Sequence, residues 1–157
     1  AAAGWRMNRH ALRLTQRLGF TYASDSRGDH PFIPVIDGEI VACPQIPTTL
    51  PTLDELLTLE PGYSPEQAVD RIMQLAAAIP GDHHVFTLRA ELEGMKFLSA
   101  FERLVSTWKN NGYQLVPLAD IHSSLEKDTL PLHTVNFAEI PGRSGLRMKQ
   151  GAAFPLD

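Results

Sequence analysis

The stretch Val85-Phe86-Thr87-Leu88-Arg89-Ala90-Glu91-Leu92-Glu93-Gly94 sets one guanidinium and two carboxylates at the end of an apolar alternation, just before a glycine. A guanidinium can clamp or steady an anion, and a positioned carboxyl can pass a proton. With a strand's period of two, Phe86 and Leu88 share one face and Val85, Thr87 and Arg89 the other. A chain that stays extended to Gly94 therefore lines up Arg89, Glu91 and Glu93 on one side. The C-terminal ends of strands are where α/β proteins carry their chemistry. The same residue types also suit a structural ion cluster at a solvated strand-to-helix loop.

Two further charged residues stand at comparable places. Arg6 precedes a predicted helix, and Asp25 closes the next predicted strand, so a right-handed crossover sets the two side by side. His83 and His84 are less promising, because adjacent residues on a strand point to opposite faces and lack the spacing for two metal ligands.

Composition narrows the classes. A chain of 157 residues, 43% hydrophobic and 20% charged, suits one globular domain. A net charge of −4 and a pI near 5.8 argue against nucleic-acid binding, which needs a clustered basic excess. The single Cys43 excludes an internal disulfide framework and a cysteine metal site. No run of 18 apolar residues is present, and the first six residues have neither the basic nor the apolar region of a signal peptide. Ala1-Ala2-Ala3-Gly4 running straight into Trp5-Arg6 reads as the tail of a strand, so the chain is expected to be a fragment.

The elements that position these residues follow from pattern. A helix is predicted from Arg9 to Leu18, with Asn8 as cap and Gly19 as stop. Its Arg9, Arg13 and Arg17 share a face that suits either solvent or the anionic surface of a membrane. Phe20 to Asp25 reads as a strand, and Asp37-Gly38 as the turn of a small hairpin between Phe32–Ile36 and Ile40–Ala42. Residues Gln45 to Leu50 are expected to re-enter the main sheet. Ser64-Pro65-Glu66-Gln67 is a strong helix start, and Pro80-Gly81 ends that helix. Phe97, Leu98, Phe101, Leu104, Val105 and Trp108 mark a second amphipathic helix, stopped by Asn110-Asn111-Gly112. Tyr113–Val116 reads as a strand, Pro117–Ile121 as a helix start, and the chain beyond Leu132 as loops and a frayed tail. Alternating strands and helices give an α/β class with a mainly parallel sheet, resembling the C-terminal part of a (β/α) barrel.

Four segments carry a resemblance. Ala1 to Arg6, Tyr22-Ala23-Ser24-Asp25-Ser26-Arg27-Gly28, Gln45-Ile46-Pro47 with Leu50-Pro51-Thr52, and Thr87 to Gly94 together resemble the polysaccharide deacetylase (NodB-like) superfamily. Leu130-Pro131-Leu132 and Ala138 to Arg143 fit its tail. The resemblance implies a distorted (β/α)7 barrel cut at its N-terminal side. It implies a metal-dependent hydrolase that removes a formyl or acetyl group from an amino sugar, here a lipid-linked one used in lipid A modification. It places the protein in the cytoplasm or at the inner membrane surface.

By the same resemblance Arg6 orients the catalytic base, Asp25 tunes the catalytic acid, and Arg89 stands where the family has that acid, a histidine. Trp5, Glu91 and Glu93 flank them as candidate substrate contacts. The family's divalent metal and its base belong to motifs upstream of this chain. The chain alone is therefore expected to bind no metal, to be inactive, and to need the missing half of the barrel as partner. An arginine cannot shuttle protons near neutral pH; Arg89 is expected to pair with Asp25 or steady an oxyanion. A non-catalytic homologue that binds a glycan or lipid-linked sugar is the alternative.

Overall fold

Asn8 opens the first helix, α1 (Arg9–Arg17), by accepting from the backbone N–H groups of His10 and Ala11. Gly19, at φ +70°, closes it. The computed structural model describes residues 1–59 and 62–155 of the chain, which divide into two compact units.

The first unit comprises Ala1–Thr49, Leu118–Ile140 and the segment from Ser144 onward. Its sheet contains β1 (Ile33–Ile36), β2 (Glu39–Ile40), β3 (Leu132–Ala138) and β4 (Arg147–Ala153), in the order β2-β1-β3-β4. Asp37 and Gly38 both have positive φ and make the predicted tight hairpin, pairing Val35 with Ile40 and Ile36 with Glu39. β1 and β3 run parallel, with Ile33 opposite Leu132, and β3 and β4 are antiparallel. The mixed α/β class holds, but only one of the three pairings is parallel, against the expected mainly parallel sheet. The predicted loops after Leu132 are in fact half of this sheet; the last two residues of that tail lie outside the described residues. Polar residues at His133, Thr134, Asn136, Lys149 and Gln150 hide the strands from hydropathy.

Phe20 to Asp25 is not a strand. Ala23 alone bridges Gln45, because Pro44 and Pro47 lack the N–H groups a continuing ladder would need. Tyr113 to Val116 carries no strand either, and Leu115 and Val116 remain about half exposed. Leu12, Ala23, Ile36, Val41, Cys43 and Met148 form the core of this unit. Burial pushes the Cys43 thiol up, which leaves it an inert packing residue. The short helix α5 (Leu118–Ser124) starts where predicted.

The second unit holds Leu50–Pro117 and Pro141–Arg143. Its helices are α2 (Leu53–Thr58), α3 (Pro65–Ala78) and α4 (Leu98–Asn110). Ser64 and Gln67 cap α3 reciprocally, with Pro65 at the first helical position, as the sequence predicts. α2 was not predicted, although Thr52 and Glu55 form the same device. Leu50, Leu53, Leu56, Ala68, Val69, Ile72, Leu104 and Trp108 make the core, with Phe86 edge-on to Trp108 at 5.5 Å. No helix among the described residues is long and apolar enough to cross a membrane.

Candidate functional site

The Val85 to Gly94 stretch departs from the extended course expected of it. Residues 85–89 carry no strand, the chain turns helical at Ala90, and Leu92–Lys96 form a wide π-helical turn. Ala, Glu and Leu are strong helix formers. The Arg89 carbonyl accepts from the N–H groups of Leu92 and Glu93, while the Glu93 carboxylate (Oε2) accepts from the Arg89 N–H at 2.8 Å. Helical spacing thus replaces the strand parity. Arg89 and Glu93 meet across one turn, and Glu91 points to solvent.

Glu93 is 1% exposed, and its Oε1 has no hydrogen-bond partner among the described residues. Burial above all, with the nearby Asp54 and Glu91 charges adding, holds its carboxyl above the usual range, although backbone hydrogen bonding opposes this. The Arg89 guanidinium reaches Asp54 of α2, with Nη2 3.2 Å from Oδ2. Asp54 in turn meets the half-buried Arg143, whose Nη1 is 2.8 Å from Oδ2. Arg143 also donates from Nε to Glu55 Oε1 at 2.9 Å and from Nη2 to Thr52 Oγ1 at 3.0 Å. One guanidinium therefore fastens the whole N-terminal turn of α2, and that turn holds the second guanidinium. Asp54, Glu55, Thr52 and Arg143 were missed as a group. The Thr52-x-x-Glu55 cap was the readable part; the link to Arg143, far along the chain, had no local signal.

In the first unit, Asp25 is 5% exposed and accepts from the Ala2 backbone N–H, while its own N–H donates to Gln45 Oε1 at 3.0 Å. Around it lie Ser26 and Gln45, both fully buried, whose Oγ and Nε2 lack hydrogen-bond partners among the described residues. Trp5 is buried too, at φ +58°, a conformation that costs a bulky residue energy. Its Nε1 donates to Thr48 Oγ1 at 3.2 Å, and the Arg27 guanidinium lies 4.8 Å over its ring. Arg6 is exposed, with no side-chain hydrogen bond or ion pair among the described residues.

Within its own unit, then, Arg89 is joined to Asp54, Arg143 and Glu93; Asp25 is joined to Gln45 and the Ala2 amide. Asp25 belongs to the first unit and Arg89 to the second, and each has a partner inside its own unit. Among the described residues no three His, Cys, Asp or Glu side chains gather closely enough to hold a metal ion. His83 is exposed, and His84 is half-buried with its ring tilted toward Tyr113 at 6.5 Å.

No family model matches the chain. It is 34% identical over 146 residues to the "Probable 4-deoxy-4-formamido-L-arabinose-phosphoundecaprenol deformylase ArnD" of Wigglesworthia glossinidia brevipalpis, covering 92% of this chain and 50% of that protein. It is 37% identical over 149 residues to the protein of the same name from Shewanella sediminis (strain HAW-EB3), covering 92% of this chain and 45% of that one. The chain spans about half the length of the curated relatives it matches. Along nearly its whole length, therefore, this chain is a homologue of proteins named as 4-deoxy-4-formamido-L-arabinose-phosphoundecaprenol deformylases.

Proposed function

We propose that this chain is the substrate-orienting part of a deformylase that hydrolyses the formamide of a lipid-linked 4-formamido sugar in lipid A modification. The observation that carries this reading is 34–37% identity over 92% of the chain to two proteins of that name. The fold reading that goes with it is part of a deacetylase-type barrel, with metal and base on the half of the relatives that this chain does not match. Releasing formate from an amide requires an activated water, a group that steadies the oxyanion, and a proton for the leaving nitrogen. Arg89, held by Asp54, suits the oxyanion. Asp25, with the unpartnered Ser26 Oγ and Gln45 Nε2 beside it, suits the polar sugar. Arg6 keeps the base-orienting role, and Glu91 is a solvent-facing sugar contact. Trp5 supports Arg27 from beneath, and Glu93 fixes the Arg89 backbone.

The test is formate release from undecaprenyl-phosphate-linked 4-deoxy-4-formamido-arabinose, followed by mass spectrometry. It compares this chain alone with the chain co-expressed with the unmatched half of the Shewanella relative. Turnover only in the combined sample is expected. Sugar binding without turnover in that sample would replace the enzyme by a non-catalytic binder.

A further inference from the structure

β4 opens with Arg147, whose side chain is 6% exposed. Among the described residues its one hydrogen bond runs from Nη1 to the Leu146 carbonyl at 2.9 Å, and its Nε is buried without a partner. In a guanidinium the Nε–H and one N–H of Nη2 point the same way and form the edge that meets two oxygens of a single anion. That edge is the one left open. Burying a cation without a counter-charge is costly, and an anion at this edge offsets the cost.

Two more cations share that face. Lys149 stands two positions along β4, so its side chain leaves the strand on the same side as that of Arg147, while Met148 between them enters the core. Arg27 bridges Lys149 in parallel register: its N–H donates to the Met148 carbonyl at 2.9 Å, and its carbonyl accepts from the Gln150 N–H at 2.7 Å. Paired positions present their side chains to one face, which brings Arg27 beside Lys149. The Trp5 ring, 4.8 Å from the Arg27 guanidinium, steadies it there. Lys149 is exposed, so solvent reaches the group from its end. Among the described residues no carboxylate makes an ion pair with Arg147 or Lys149.

We propose that Arg147, Lys149 and Arg27 bind a phosphate group, and, resting on the function proposed above, that it is the phosphate joining sugar to lipid in the substrate. A phosphodiester has two non-bridging oxygens, which match the open edge of Arg147, and Lys149 and Arg27 add charge around them. Two positions along an extended strand span about 7 Å and neighbouring strands lie about 5 Å apart, distances that three long basic side chains close around one phosphate. Asp25 stands two residues ahead of Arg27. A sugar at Asp25 and a phosphate at Arg27 are therefore spaced as adjoining groups of one glycosyl phosphate.

Isothermal titration calorimetry of the chain tests the site with four probes: farnesyl-phosphoryl-arabinose, which is a diester of the same build, inorganic phosphate, arabinose, and phosphatidylglycerol vesicles. The diester is expected to bind, arabinose not to bind, and inorganic phosphate to bind about tenfold more weakly because it brings no sugar. Arg147→Met should weaken the diester by about tenfold or more, and Lys149→Gln by about threefold. Without ligand, Arg147→Met should melt no lower than the unaltered chain, because it removes a buried charge that has no partner. If it melts lower, Lys149→Gln, at an exposed position, decides: unchanged affinity there overturns the site. So does a diester that fails to bind, or that binds Arg147→Met undiminished. Inorganic phosphate bound as tightly as the diester, or vesicles bound and the diester not, would overturn the assignment to the substrate. In the formate-release assay, an unchanged KM with Arg147→Met would strike the phosphate site and leave the deformylase reading standing. Diester binding with no formate released would do the reverse.

Discussion

Arg143 binds three groups of one helical turn and is 9% exposed at its side chain. Removing the shared cation of a largely buried ionic cluster leaves its carboxylates poorly compensated, at a cost of about 3 kcal/mol. Arg143→Ala should lower unfolding free energy by that order in a denaturant titration. Arg143→Lys should recover only a small part, because an ammonium cannot span Thr52, Asp54 and Glu55 with one planar fork. Glu93 gives a prediction of opposite character. Its carboxyl is held above the ordinary 4.5, so the folded chain keeps a proton that the unfolded chain has lost as pH rises past that value. Stability should therefore decline as pH climbs from the unfolded to the folded value. Glu93→Gln should flatten that part of the melting-temperature profile and match or exceed the unaltered chain at pH 8. A steeper profile in the variant would show that the charged form is the one the fold wants.

At the level of elements, what was legible depended on whether the signal was local. Asn8, Ser64-Pro65-Glu66-Gln67 and Asn110-Asn111-Gly112 mark helix ends by capping chemistry within a few residues, and those ends lie close to where they were predicted. The Asp37-Gly38 turn was equally plain. Val85 to Gly94 misled because its alternation favours a strand while its second half favours a helix; the Glu93 carboxylate on the Arg89 N–H tips the balance. β3 and β4 were invisible because both carry many polar residues and β3's other partner, β1, is supplied by distant chain. Among the candidate residues, Arg89 and Asp25 were recognised as charged positions, but Asp54 and Arg143 become partners only through tertiary packing. Gly142 shows how tight that packing is. At φ +79° it passes so near α2 that a Cβ would lie 2.6 Å from the Glu55 carbonyl oxygen. Gly142→Ala should cost about 1–3 kcal/mol from backbone strain alone, with the clash added. A variant as stable as the parent by thermal melting would mean that the Pro141–Arg143 segment can move away freely.

For the whole molecule, Arg89 at the position where a histidine acid is expected makes proton delivery the weak step of the proposed hydrolysis. Arg89→His, assayed together with the unmatched half of a relative, should raise kcat more than it lowers KM. A fall in kcat would show that steadying the oxyanion, rather than delivering the proton, is what position 89 supplies. The first unit has a further property that follows from its sheet. β1 pairs with a strand roughly a hundred positions downstream, so most of the chain must exist before that pairing can close. The second unit is nearly continuous along the chain and its helices start from local caps. On a ribosome, α2 to α4 can form while β1 still waits with its hydrogen-bonding edge open for β3. During that interval the edge is available to any other extended chain. Pulsed hydrogen exchange during refolding should show α3 and α4 protected before β1, and the yield of soluble chain should fall with the speed of synthesis rather than with the stability of the finished fold.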